Sequence, residues 1–349
     1  MKEHNYGIDL LKLVLMFMVS LLHTLGKGGV LDVSVKGTVY FGLFWLLEIF
    51  SFCAVDSFAF ISGYIAENKP KQYSKLINMW FQVFFYSFII SCILKLFGYG
   101  NDVGIKEFIK YGLPLTFNIY WYITSYFILF IVTPILNKTL FNLNKNESKK
   151  TLIVLFLIFT LLNFCKEPLQ TIIEYSPIWI IVLYSMGVLA KKSDLFKKKS
   201  SINLIVIWLL CIIGTWVLLM FRGDFRLVSY ISPTILISGI IMVVLFSRLK
   251  IKGKTLNKFS SLALGIYLFQ LNPIIWNYII NDRFIYIINY DIFKSTLLVL
   301  LISSIIFISG LTVEYIRQKI FKKLKIDILS EKIIKMIENI LNKVKISLS

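Results

Sequence analysis

Histidine is almost missing from this chain: His4 and His23 are the two imidazoles in 349 residues. Acid–base chemistry that relies on imidazole near neutral pH therefore has two places to occur. Cysteine is nearly as scarce. Cys53, Cys92, Cys165 and Cys211 stand singly, mostly inside apolar runs and with no CxxC pair, so neither a disulfide framework nor a metal site is inferred. Charge is low at 16% of residues, against 57% hydrophobic residues and a mean hydropathy of +0.76. Ordinary soluble domains are about 45–50% apolar. The first apolar run lacks a small-residue cleavage site, so it is expected to persist as a helix rather than be removed as a signal peptide. Neither an internal repeat nor a separate soluble domain is visible. So little polar surface implies an all-α polytopic membrane protein. The net charge of +19 is assigned to loops facing anionic lipid headgroups, with no nucleic acid as partner.

Apolar runs occur at about 8–25, 40–65, 77–97, 113–136, 151–165, 177–190, 202–220, 229–247, 260–280 and 293–316, which predicts ten transmembrane helices. The basic residues test that count. The N-terminal tip, the loops after every second span and the tail carry 27 lysines and arginines, and the opposite loops carry nine. A threefold bias in alternation predicts both termini on the cytoplasmic side of the plasma membrane. Residues 1–316 form the membrane domain in this reading. Residues 317–349, with Ile333, Ile337, Ile340, Leu341 and Val344 spaced among lysines, are expected to form a basic amphipathic helix on anionic lipids of the inner leaflet.

The chain's few polar spanning residues are concentrated in its first two spans. In the first, Asp9 and Lys12 precede ten residues that are apolar except for Ser20, and His23 follows. At about 100° and 1.5 Å per residue, Lys12 and His23 share one stripe about 16 Å apart. Asp9 and Ser20 fall near the same line. Two readings of the charges stand side by side. Asp9 and Lys12 are an i, i+3 pair that orients the helix, or they mark an anion site at the cytoplasmic mouth, together with Lys69, Lys71 and Lys75. His23 is either a neutral imidazole satisfied by a neighbour or a general base, since an ionisable group inside a membrane is costly to keep without a use. Glu48 and Asp56 in the second span lie about 80° apart on a helix, so one can orient His23 while the other meets another helix. Ser62-Gly63-Tyr64 suggests close packing at the inner face. Trp121 and Tyr122 open the fourth span as an interfacial belt or a platform for a sugar. Tyr267 and Gln270 lie on another polar stripe, entering a late span.

The Lys12-(x10)-His23 spacing, together with FAFISGYI, WYITSYFILFIVTPILN and SLALGIYLFQ, resembles the acyltransferase type 3 family of integral membrane acyltransferases along nearly the whole chain to about residue 316. The family has ten spans and moves acyl groups, usually acetyl, from the cytoplasm to extracytoplasmic sugars. Its first span carries an arginine, ten residues, then the histidine taken as catalytic. Lys12 stands in the arginine's place here, and Gln270 stands where the late motif often ends in histidine. The resemblance implies acetyl-CoA as donor, a lipid-linked or surface glycan as acceptor and no metal. Lys12 and the cytoplasmic lysines would hold the donor's phosphate, with His23 as base and Ser20, Tyr267 and Gln270 as candidates to stabilise the oxyanion. A transporter or flippase for such a glycan is the alternative, and it would be expected to spread polar midplane residues and broken helices over several spans.

Overall fold

The computed structural model describes residues 4–70, 72–164 and 173–348. Lys2, Lys71, Cys165 and Lys166 lie outside it, as do the side chains of Leu341, Lys343, Val344 and Lys345. The regular structure of the described residues is all helical, with no strand among them. In chain order the α-helices are α1 (Tyr6–Leu25), α2 (Val39–Phe52), α3 (Ala54–Tyr64), α4 (Ser74–Phe84), α5 (Ile90–Leu96), α6 (Ile105–Gly112), α7 (Trp121–Leu140) and α8 (Lys145–Leu162). They continue with α9 (Pro177–Ser193), α10 (Ser201–Arg222), α11 (Pro233–Ser247), α12 (Lys254–Ser260), α13 (Ala263–Gln270), α14 (Ile292–Lys323) and α15 (Ile326–Leu348).

Each of the ten apolar runs contains helix. Among the described residues, six stretches are long and apolar enough to cross a membrane: α1, the joined α2–α3 pair, Ser74–Leu96, α7, α10 and α14. A bent pair, Thr255–Gln270 and Ile275–Asn289, makes a seventh if it counts as one span. The difference from ten is one of length and charge. α11 has 15 residues, about 22 Å at 1.5 Å per residue, and a hydrocarbon core is about 30 Å thick. α8 opens with Lys145, Glu147, Lys149 and Lys150, and α9 ends in Lys191 and Lys192.

α1 is the central helix. In its most apolar window 67% of residues are buried, against 22% for α10 and for α14. It packs against α2, α3, α11, α12, α13 and α14. Asn5 fixes its start: the side-chain oxygen accepts from the Ile8 N–H at 3.1 Å, and the amide donates to the Ser247 carbonyl at the end of α11. This capping satisfies a donor that an N-terminal turn leaves open. The peripheral helices are inverted relative to a soluble protein. Phe293, Leu297, Ile305 and Ile308 of α14 are exposed, as lipid contact requires.

Two glycines bring α3 and α9 into close contact. A Cβ on Gly63 would stand 1.8 Å from the Tyr184 carbonyl oxygen, and one on Gly187 would stand 2.2 Å from that of Phe60. Small residues at such a crossing let helix backbones approach in a membrane. Gly63 thus belongs to a helix–helix contact inside the last turn of α3. At the other end of the chain, α14 runs through residue 316 to Lys323. Arg317 consequently sits buried in that helix and not in a surface tail. α15 follows, packs along α4, and accepts a hydrogen bond from Asn78 at Asp327.

Candidate functional site

The run at 260–280, expected as one continuous span, is broken at Leu271-Asn272-Pro273-Ile274, and its two segments meet at 72°. Pro273 has no N–H to continue a helix. Asn272 compensates for the break. Its Oδ1 accepts from the N–H groups of Ile274 and Ile275 at 3.0 and 3.1 Å, and its Nδ2 donates to the Tyr86 carbonyl and Ser91 Oγ at 2.7 and 2.8 Å. The bend therefore places Gln270 at the end of α13 and Trp276 at the start of a π-helical turn, Ile275–Ile280.

Both residues meet His23 in the last turn of α1. The imidazole lies edge-to-face against the Trp276 indole, with ring centres 4.8 Å apart. The side chain of Gln270, fully buried, interacts with the imidazole. Its Nε2 lies 3.9 Å from the Met16 sulfur, and its Oε1 has no hydrogen-bond partner. His23 Nδ1 is likewise buried and without a partner. The imidazole is therefore fixed by packing, beside the Gln270 amide, with Nδ1 buried and unpaired.

Glu48 on α2 and Asp56 on α3, either side of the break at Cys53, face different neighbours. Glu48 Oε1 lies beside the exit turn of α1, 3.8 Å from where a Cβ of Gly26 would stand, and its Oε2 is buried without a partner. Asp56 Oδ1 accepts from Trp179 Nε1 of α9 at 2.9 Å, leaving Oδ2 unpaired. Glu48 is thus the carboxylate next to the His23 end of α1, while Asp56 faces α9. Beyond His23 the chain turns through Gly28 and Gly29, the latter at φ +83°. Carbonyls of Lys27 and Gly28 accept from the N–H groups of Asp282 and Phe284, which ties this exit to the segment after the bend.

At the other end of the stripe, Lys12 Nζ is 3.3 Å from Asp9 Oδ1, and His4 Nε2 bonds the second Asp9 oxygen at 2.5 Å. All three residues line a cavity of about 470 Å³. Its other walls include Tyr64, Glu67, Lys191 and Lys192. Lys191 Nζ stands 4.5 Å over the Tyr64 ring, and Lys192 Nζ donates to the Phe141 carbonyl at 2.6 Å. Lys69 pairs with Glu67 at 2.5 Å; both Lys69 and Lys75 are exposed, and neither lines the cavity. Lys71 lies outside the described residues.

Two smaller spaces lie between α3 and α7. The first, about 130 Å³, is lined by Ser62, Ile65, Tyr126 and Thr133. The second, about 110 Å³, touches Met16 and Val19 of α1, Val55 and Phe58 of α3, Tyr122 of α7 and Tyr267 of α13. On α1 the positions Lys12, Met16, Val19 and His23 climb one stripe. Tyr122 and Tyr267 pack edge-to-face at 6.1 Å, and the Tyr267 hydroxyl is buried with no hydrogen-bond partner. Trp121 is engaged by other aromatics, stacking on Tyr230 at 6.3 Å and meeting Tyr175 edge-on at 5.1 Å. Ser20 donates its hydroxyl proton to the Met16 carbonyl at 3.2 Å, so its proton is committed within the helix.

Three residues were not singled out by sequence reasoning. Lys191 and Lys192 figured only in the charge count, and their position in the last turn of an apolar helix was the available signal. Trp276 follows the Asn272-Pro273 dipeptide, a turn signal inside an apolar run. Among the described residues no group of three or more His, Cys, Asp or Glu side chains is arranged to hold a metal ion.

The sequence profile described as Acyltransferase domain matches residues 5–316. Neither the curated proteins nor the solved structures give a match.

Proposed function

The chain belongs to the acyltransferase type 3 family, and from that membership we propose a membrane O-acyltransferase that moves an acetyl group from cytoplasmic acetyl-CoA to a glycan hydroxyl. The acceptor class is a cell-surface or lipid-linked glycan, presented from the outer side of the plasma membrane. In this reading all ten apolar runs are membrane-embedded and both termini are cytoplasmic, as the lysine bias supports.

The observation that carries the proposal is the buried, unpaired Nδ1 of His23 at one end of a stripe that starts in a lysine-lined cavity. Lys12, Lys191 and Lys192 offer point charges to the donor's phosphates. The span from Lys12 to His23, about 16 Å along the helix, is of the order of a pantetheine arm. His23 takes the proton of the attacking hydroxyl as its oxygen bonds the thioester carbonyl carbon. The carbon–sulfur bond then breaks, the acyl–oxygen bond remains, and the imidazolium returns the proton to the thiolate. Proton transfer of this kind is worth about 10²–10⁴ in rate. Tyr267, whose hydroxyl has no other partner, and the Gln270 amide are the donors we assign to the carbonyl oxygen. Glu48 supports the imidazolium from the exit turn.

The broken span at Asn272-Pro273 favours a second reading, since discontinuous helices mark transport sites. One experiment separates the two. Surface glycans of cells carrying His23→Ala in place of the native protein are analysed by mass spectrometry. Normal polymer without acyl groups is the expected result. Unchanged acylation at normal protein level removes the catalytic assignment, and a missing polymer with unchanged acyl content indicates transport.

A further inference from the structure

The smallest of the three spaces holds more information than its size suggests. It measures about 110 Å³, and its walls are almost wholly apolar: Met16, Val19, Val55, Phe58 and Leu264, with Tyr122 and Tyr267. A half-open apolar cleft of this kind suits an apolar occupant. This space also lies next to the reacting groups. The Met16 sulfur touches the Gln270 amide, which in turn acts on His23. Its walls bring two hydroxyls, those of Tyr122 and Tyr267, and the Tyr267 hydroxyl is buried without a hydrogen-bond partner. A ligand suited to it is a short hydrocarbon group carrying a single hydrogen-bond acceptor.

Size then narrows the ligand. An apolar cavity of about 150 Å³ holds one benzene, six carbons. A space of about 110 Å³ holds fewer, on the order of two to four carbons. Resting on the acyl transfer proposed above, we infer that this cavity seats the acyl group of the donor thioester, and that Met16 and Phe58 set an upper limit of about four carbons. The carbonyl oxygen meets the Tyr267 hydroxyl, and the hydrocarbon end points between α1 and α3. Specificity of this type is steep, since each methylene that a pocket refuses changes discrimination about 10–200-fold.

The test measures kcat/KM of the purified full-length protein with acetyl-, butyryl- and octanoyl-CoA. The native protein is expected to use the first two and to discriminate against octanoyl-CoA by at least about tenfold. Met16→Ala and Phe58→Ala should each raise the octanoyl-to-acetyl ratio about tenfold or more, and Val55→Phe should lower the butyryl-to-acetyl ratio about tenfold or more. The changes run in opposite directions, so loss of folded protein cannot produce both. Acetyl transfer that persists with an unchanged chain-length profile in all three variants overturns the inference alone. A native protein that transfers none of the three groups overturns the acyl-transfer reading, and this one with it.

Discussion

Arg317 grips Glu314 through two hydrogen bonds, Nε to Oε2 at 2.8 Å and Nη2 to Oε1 at 2.7 Å, with both side chains buried in the packing of α14. Glu314 also accepts from the Tyr86 hydroxyl, Gln82 and Gln318 at 3.0, 3.2 and 3.1 Å. A buried pair held by this many donors is costly to break one partner at a time. Glu314→Ala leaves the guanidinium uncompensated and is expected to destabilise by about 3–5 kcal/mol. Replacing both, as Glu314→Met with Arg317→Leu, should recover much of that loss. Thermal unfolding in detergent compares the three proteins. A double variant less stable than the single one counts against the ion pair as the cause.

The same carboxylate accounts for a glycine in the late motif. A Cβ on Gly265 would fall 2.3 Å from Glu314 Oε2. The closest backbone crossing, Gly63 against Gly187, follows the same logic. Gly187→Leu is expected to separate α3 from α9 and to lower the yield of folded protein, with a cost of at least about 1–3 kcal/mol from overpacking. Gly214 on α10 has open space around its Cβ position, so Gly214→Leu serves as the control and should leave yield unchanged. Size-exclusion profiles of the two variants give the comparison, and equal profiles would mean that α3 and α9 tolerate separation.

Gln270 lies against the Met16 sulfur and beside the His23 ring. Gln270→Leu keeps the volume but removes both the contact with His23 and a donor for the carbonyl oxygen. The expected effect is a fall in kcat of about 10²-fold, with the donor's KM little altered. Gln270→His, which restores a ring that can donate or accept, should retain much of the lost rate. If the leucine variant changes KM and not kcat, Gln270 belongs to donor binding.

Some of this was readable before any coordinates. The stripe through Asp9, Lys12, Ser20 and His23 needs only helical periodicity in an apolar run, and the structure keeps the stripe as a surface of the central helix. That Glu48 and Asp56 face different neighbours was likewise readable from residue spacing, although the span breaks between them at Cys53. The bend at Asn272-Pro273 was not read, because an apolar run with one proline also fits a kinked span, and the compensating bonds come from Tyr86 and Ser91 far away in sequence. Lys191 and Lys192 were hidden for a related reason. They lie about 180 residues from Lys12, and the close α3–α9 packing at Gly63 and Gly187 sets the end of α9 in the wall of the cavity that Lys12 also lines. The end of the membrane domain was set at the last apolar residue, whereas the helix itself continues while the buried pair with Glu314 holds Arg317 inside.

Lys12 is the sharpest test of the donor site, because its charge has two partners to satisfy. Asp9 holds it at 3.3 Å in the protein alone, and the cavity beyond offers it to an anion. Lys12→Arg keeps the charge and adds a forked donor geometry suited to phosphate, so activity should persist or rise. Lys12→Glu sets a carboxylate one helical turn from Asp9 and repels the donor's phosphates, so activity should vanish. Lys191→Ala and Lys192→Ala each remove one charge from the opposite wall. A hydrogen bond to a charged group is worth about 1.5–3 kcal/mol, and 1.4 kcal/mol is about tenfold in affinity. Each alanine variant should therefore raise the donor's KM about tenfold or more and leave kcat close to native. Initial-rate kinetics with varied acetyl-CoA decide the matter. Equal activity of Lys12→Arg and Lys12→Glu removes the anion site. A KM that ignores Lys191 and Lys192 confines donor binding to the α1 side of the cavity.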